Sequence, residues 1–261
     1  MVHQKELLSD PEVIEKQFPI FSEHPRLVYL DNAATTQRPK SVIDRINNFH
    51  QQENASIRRG AYRLASHATQ EFKVGRSTVA NFFGASSSDC IAFTSGTTES
   101  INVVSRSIIS PKVKEGDNIV VTLMEHHANF IPWQMLCQEK NLELRVVPLN
   151  KWGELDMNKF EELIDYRTIV VAVTHISNTL GTINPISEVI QLAHRKQASV
   201  LIDAAQSATV YPIDVQKLDC DFLVCSAHKM FGPFGVGILY VHQRHHQLVN
   251  PYNYGGGIIR S

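Results

Sequence analysis

Hydrophobic residues in this chain fall into short dense runs, separated by stretches in which they recur every three or four positions. After an amphipathic opening and Pro19, the run Leu27 to Leu30 stops at the turn residues Asp31 and Asn32, as a strand would at its exit, and a helical pattern follows from about Pro39 to Phe49. A second helical stretch covers about Ala65 to Phe83. From there the two patterns alternate. Strands are predicted at Cys90 to Phe93, Asn118 to Met124, Leu142 to Pro148, Thr168 to Thr174, Ser199 to Ile202, Phe222 to Cys225 and Val236 to Val241. Helices are predicted at Glu99 to Ile109, Phe130 to Glu139, Met157 to Ile164 and Ile186 to Lys196. Runs that are apolar throughout, rather than alternating, suit strands covered on both faces, so the pattern describes an α/β layered domain with a largely parallel sheet.

In such sheets a ligand lies beyond the carboxyl ends of the strands. Polar residues collect there: Asp31 and Asn32, followed by Ala33; Ser95 to Thr98; Glu125, His126 and His127; His175, Ser177 and Asn178; Asp203 and Gln206; Ser226, His228 and Lys229. Their recurrence at one predicted edge points to a common pocket.

Composition narrows what that pocket binds. With 261 residues, 43% of them hydrophobic, the chain can bury a sizeable core as one large domain or one domain with a small appendage. Lys and Arg total 25 against 26 Asp and Glu, a net charge of -1, which gives no electrostatic case for nucleic acid or an anionic membrane and favours a small-molecule substrate. The opening residues lack the apolar stretch of a secretory signal and no later run is long enough to span a bilayer, so the cytoplasm is the expected location. Cys90, Cys137, Cys220 and Cys225 form neither a C-x-x-C pair nor a disulfide framework, and reduced buried thiols are expected.

Three segments carry candidate chemistry. Phe93 to Glu99 sets glycine and hydroxyl side chains between a strand and a helix, where free N–H groups aided by Thr97 and Thr98 can hold a phosphate dianion; alone, it reads equally as a Thr-capped helix with Glu99 reaching back. Neither a Walker ending nor a G-x-G-x-x-G fingerprint is present, and Gly255, Gly256 and Gly257 have no helix after them. Asp203 ends the apolar strand Val200-Leu201-Ile202, where a carboxylate needs a charged or hydrogen-bonded partner: a protonated pyridine nitrogen is one, and a helix end is the plainer alternative. Lys229, beyond another apolar strand and before a Gly-Pro turn, is either a surface lysine or a desolvated amine able to form a Schiff base with an aldehyde. Together the three describe one cofactor, pyridoxal 5'-phosphate.

His126 and His127 could supply a flat ring to stack on that cofactor and a proton carrier near neutral pH. Their spacing is not H-E-x-x-H, so no metal site is expected. His242, His245 and His246 beside Arg244 read as a solvated loop, and Arg58-Arg59-Gly60 as an anion patch or a surface charge run.

These segments resemble the pyridoxal-phosphate cysteine desulfurases of the class V aminotransferase superfamily. The matching stretches are Tyr29 to Thr36, Phe93 to Ser100, Met124 to Asn129, Thr174 to Gly181, Asp203 to Gln206 and Ser226 to Lys229, followed by Gly232 to Gly235, and the likeness covers nearly the whole chain. It implies a three-layer, largely parallel mixed sheet of the aspartate-aminotransferase-like (fold type I) kind. Residues 26–261 would form the large cofactor-binding domain and residues 1–25 a segment packing near a smaller C-terminal domain, most of which is lacking.

Carried over by position, Lys229 matches the Schiff-base lysine, Asp203 the partner of the pyridine nitrogen, His126 the stacking and proton-moving histidine, and Gln206 a group near the phenolic oxygen. Thr98, Ser226 and His228 match phosphate-binding positions. Asn178 matches a contact to the substrate carboxylate, and Asn32 and Ala33 lie in a turn beside the substrate. The implied reaction takes sulfur from L-cysteine, leaving L-alanine and an enzyme persulfide for iron-sulfur cluster assembly, in a homodimer that passes sulfur to an acceptor protein. The family's persulfide cysteine and a substrate-binding arginine lie beyond the residues present here, and none of the four cysteines suits the role. Arg58, Tyr62, Ser95, Ala204 and Ala227 depart from common family residues. The alternatives are a selenocysteine lyase, another class V enzyme, or a catalytically inactive cofactor-binding protein.

Overall fold

A computed structural model describes residues 10–58 and 60–255. Arg59 of the candidate anion patch, Gly256 and Gly257 of the glycine run and residues 1–9 of the N-terminal segment lie outside them.

Among the described residues, seven strands form one sheet in the order β1-β7-β6-β5-β4-β2-β3. They are β1 (Ile91–Thr94), β2 (Asn118–Thr122), β3 (Glu143–Val147), β4 (Thr168–Thr174), β5 (Ser199–Asp203), β6 (Phe222–Ser226) and β7 (Gly237–Val241). Strands β6, β5, β4, β2 and β3 pair in parallel, whereas β7 runs antiparallel between β1 and β6. Each predicted strand from Cys90 onward is present within a residue or two. Strands β2, β6 and β7 are buried at every position, which is why their sequences run apolar without alternation.

The sheet divides the core into two layers. On one face, Val171, Val173, Val200 and Ile202 meet Ile186, Val189, Ile190 and Ala193 of the helix Ile186–Arg195, whose three-and-four spacing makes that stripe. On the other, Ile119, Val121, Val170, Ala172 and Leu201 pack on Ile101, Trp133 and Leu136 from the helices Thr97–Val103 and Ile131–Lys140, and on Val104 just beyond the first of them. The predicted helix Glu99 to Ile109 begins at Thr97 and continues as a wider π-type turn over Val104–Ile109. The helices Lys40–Asn48 and Arg63–Phe82 lie where the pattern put them. No helix among the described residues is long and apolar enough to cross a membrane.

Two readings are corrected. Leu27 to Leu30 is not a strand: both sheet edges are occupied by β1 and β3, and the run has no regular structure and faces solvent, with Val28 77% and Leu30 88% exposed. It is held by Tyr29, whose hydroxyl donates to the Thr35 carbonyl at 2.6 Å. Nor is the His242 to His246 segment a solvated loop. His245 is buried, with Nε2 2.6 Å from Asp221 Oδ1, and Arg244 Nε donates to the same oxygen at 2.8 Å. The Asp221 Oδ2 atom accepts from the Val200 N–H and lies 2.8 Å from His194 Nε2. Burial alone would raise this carboxyl, but those hydrogen bonds, with the Arg244 charge, outweigh it and hold Asp221 well below the usual carboxylate range.

Candidate active site

The carboxyl ends of the parallel strands open into a cleft of about 490 Å³. Ala33, Thr97, Thr98, His126, Asn178, Asp203, Gln206, Ser226, His228 and Lys229 all line it, so ten of the eleven predicted site residues converge. Asn32 is exposed and does not form part of the lining. Asp31, Ala34, Ala128, Thr174 and Ala205 complete the wall. Of these, Thr174 was foreseeable as the last residue of a strand, whereas the alanines carry no chemical signal.

One wall is the start of the helix Thr97–Val103, whose N-cap Gly96 supplies no side-chain cap. Glu99 does reach back, as a capping residue would, but to the Ser95 N–H. The Thr97 N–H donates to Ser226 Oγ at 2.8 Å and the two hydroxyls lie 2.7 Å apart, which fastens the helix start to the end of β6. Gly237 on β7 permits this approach, since a Cβ there would stand 2.5 Å from Gly96 Cα. A helix start whose own N-cap residue has no side chain, beside the Thr98 and Ser226 hydroxyls, favours an anion.

Across the cleft, Asp203 is 4% exposed, and the one hydrogen bond to its carboxyl group among the described residues comes from the Ala205 N–H to Oδ1 at 2.9 Å. Burial raises its pKa, while the Ala205 N–H and the charges of Lys229 and His126 only partly offset that. The Lys229 amine is pulled the other way: burial lowers its pKa and the Asp203 charge recovers part of the loss. A carboxylate this enclosed is left wanting a cation, and a half-buried amine is biased toward its neutral, nucleophilic form.

His126 follows β2 with Nδ1 accepting from the Ala128 N–H at 3.1 Å, so the neutral ring carries its proton on Nε2. Behind it, Glu125 accepts from the Thr122 hydroxyl, the Thr174 N–H and Asn129 Nδ2. Burial pushes Glu125 up to about 8, despite those donors. The Asn129 amide is oriented by Trp133, whose Nε1 donates to Oδ1 at 3.1 Å. Gln206 Nε2 donates to the Ala33 carbonyl at 2.8 Å and joins the N-terminal turn to the exit of β5.

A family model described as aminotransferase class-V matches residues 28–261. The chain belongs to this family. It is 45% identical over 253 residues to a cysteine desulfurase of Synechococcus elongatus, covering 96% of this chain and 40% of that one. It is 44% identical over 249 residues to a cysteine desulfurase of Escherichia coli, covering 94% and 61%. Among solved structures, the apo cysteine desulfurase of Thermococcus onnurineus superposes with a TM-score of 0.91 at 36% identity, covering 96% of this chain and 62% of that one. The S-sulfonic acid form of the Escherichia coli cysteine desulfurase CsdA gives 0.88 at 34%, covering 97% and 63%. The chain therefore spans between 40% and 63% of the length of these relatives.

The architecture is that of the fold type I pyridoxal-phosphate enzymes. Pyridoxal 5'-phosphate is the cofactor of this class V family, and the cleft fits it: a lysine of lowered pKa for the aldehyde, a buried carboxylate lacking a cation for the ring nitrogen, and an anion-seeking helix end for the phosphate.

Proposed function

We propose that the protein is a pyridoxal-phosphate-dependent cysteine desulfurase that takes sulfur from L-cysteine, leaving L-alanine and a persulfide for iron-sulfur cluster assembly. The convergence of Lys229, buried Asp203 and His126 on one cleft beside the Thr97 helix start carries this reading. When bound, the cofactor supplies an aldehyde that captures amines and a ring that takes up electrons.

Lys229 presents the capturing amine, and its lowered pKa keeps more of it neutral than a solvated lysine would be. Asp203 would keep positive charge on the ring nitrogen. His126 would cover the ring and exchange protons at Nε2. Thr97, Thr98, Ser226 and His228 would hold the phosphate, Gln206 would face the phenolic oxygen, and Asn178 would orient the substrate carboxylate, with Ala33 in the turn beside it. In the sulfur step a thiolate attacks the substrate sulfur. The S–S bond forms as the Cβ–S bond breaks, and the electron pair left on carbon ends in a C–H bond of alanine. The four cysteines of the chain are buried, and burial raises the thiols of Cys137, Cys220 and Cys225, so the accepting thiolate comes from elsewhere. A longer form of the chain or a sulfur-acceptor protein supplies it, and the complete enzyme is a homodimer.

Borohydride reduction of cofactor-loaded protein followed by peptide mass mapping should mark Lys229; a modified lysine elsewhere refutes the assignment. In a form extended to the relatives' length, alanine release from L-cysteine should depend on Lys229. Turnover confined to L-selenocysteine would make the protein a selenocysteine lyase instead.

A further inference from the structure

We infer that Thr35 and Arg38 are positioning residues that decide which ring nitrogen of His228 carries its proton, making the imidazole a hydrogen-bond donor toward the anion held in the cleft. The inference rests on the phosphate-holding role proposed above for His228, which precedes Lys229 and lines the cleft. A phosphate dianion offers only acceptors, so a neutral histidine helps to hold it only through an N–H.

The proton is assigned by counting donors and lone pairs behind the ring. Thr36 Oγ1 accepts from the Phe231 N–H at 2.8 Å, and its own proton goes to the His228 carbonyl, 3.0 Å away. That carbonyl also accepts from the Thr36 N–H at 2.9 Å, so both of its lone pairs are taken. The Thr35 hydroxyl then lies between two acceptors: this occupied carbonyl at 3.1 Å and His228 Nδ1 at 3.2 Å. Arg38 Nη1 donates to Thr35 Oγ1 at 3.2 Å, turning the hydroxyl proton away from itself. A proton on Nδ1 would add a second N–H pointing at that oxygen, facing the guanidinium charge. The arrangement that gives the Thr35 proton and Nδ1 a partner without overloading the carbonyl has Thr35 donating to Nδ1, which leaves the proton of the neutral ring on Nε2.

Two further observations agree. Phe234 stacks on the His228 ring, with centroids 5.2 Å apart and planes at 24°, while the Arg38 guanidinium sits 4.5 Å from the Phe234 centroid. The ring plane is thereby fixed. Burial, with the Lys229 and Arg38 charges, lowers the His228 pKa and favours the neutral form that the tautomer requires.

The test is a long-range proton–nitrogen correlation spectrum of cofactor-free protein labelled with ¹⁵N-histidine. The His228 signals are assigned by their loss in His228→Gln. Wild type and Thr35→Ser should both show a protonated Nε2 and a bare Nδ1. In Thr35→Val the proton should redistribute toward Nδ1, and affinity for inorganic phosphate should fall about tenfold, the scale of one hydrogen bond to a charged group. Arg38→Met should shift the tautomer in the same direction. A protonated Nδ1 in wild type, or an unchanged tautomer in Thr35→Val, overturns the inference. His228 signals that ignore added phosphate would overturn the phosphate-holding role instead, and the ligand-free spectra keep the two failures apart.

Discussion

Lys229 and Asp203 govern each other's proton affinity. The carboxylate raises the pKa of an amine that burial lowers, so Asp203→Asn should move Lys229 further down rather than back toward a solvated lysine. The pH profile of Lys229 labelling by an amine-directed reagent, read by peptide mapping in cofactor-free protein, should show its midpoint at lower pH in the variant. The same substitution should weaken cofactor binding by on the order of 30-fold, about 2 kcal/mol for removing one partner of an enclosed charge pair. The outline of this site was legible in the sequence because Asp203, His126 and Lys229 each follow an apolar strand, and strands of a parallel sheet deliver their exits to one edge. What could not be read were the polar pairings that support them. Thr35 and His228 lie 193 positions apart, and Glu125 meets the Thr174 N–H across 49, so no local spacing announces either contact.

Between elements, two enclosed carboxyl groups act as ties. Glu125 joins the end of β2 to the last residue of β4 and to Asn129, and so holds the segment that carries His126. Glu125→Gln keeps the shape but sets an amide N–H against the Thr174 N–H or Asn129 Nδ2. A loss of about 1 to 3 kcal/mol is expected in urea unfolding. Asp221, at the opposite end of the sheet, ties His194, Arg244 and His245 to the entry of β6. Its folded-state pKa lies below the ordinary value of about 3.9, so its contribution to stability is complete above that pH and is lost as pH falls through the folded value. Asp221→Asn should cost about 3 to 5 kcal/mol at neutral pH and flatten the loss of stability below about pH 4. Strands and long helices were legible from their periodicity. The buried role of His245 was not, because an alternation of charged and aromatic residues looks the same whether it meets water or a buried carboxylate.

At the scale of the whole molecule, the apolar run Leu27 to Leu30 deceived for a related reason: hydrophobic pattern reports a need for cover without saying where the cover comes from. Val28 and Leu30 remain exposed, and apolar surface of this kind promotes association. The double variant Val28→Lys, Leu30→Lys should therefore weaken self-association by more than tenfold in concentration-dependent light scattering, each side chain contributing about 1.5 to 3 kcal/mol when covered. The antiparallel strand β7 has a consequence in time. It is the last strand along the chain among the described residues, yet it alone joins β1 to β6, pairing Ile91 with Tyr240 and Phe222 with Val241. Until it is in place, Thr97 and Ser226, 129 positions apart, stand on pieces of sheet with no ladder between them. Pairings of such long sequence separation form late, because the entropy of closing the intervening loop comes before any return from the contact. During refolding, helical signal should appear first and the cofactor's visible absorbance only afterward. A chain stopped before Gly237 should form much of its secondary structure while failing to capture the cofactor.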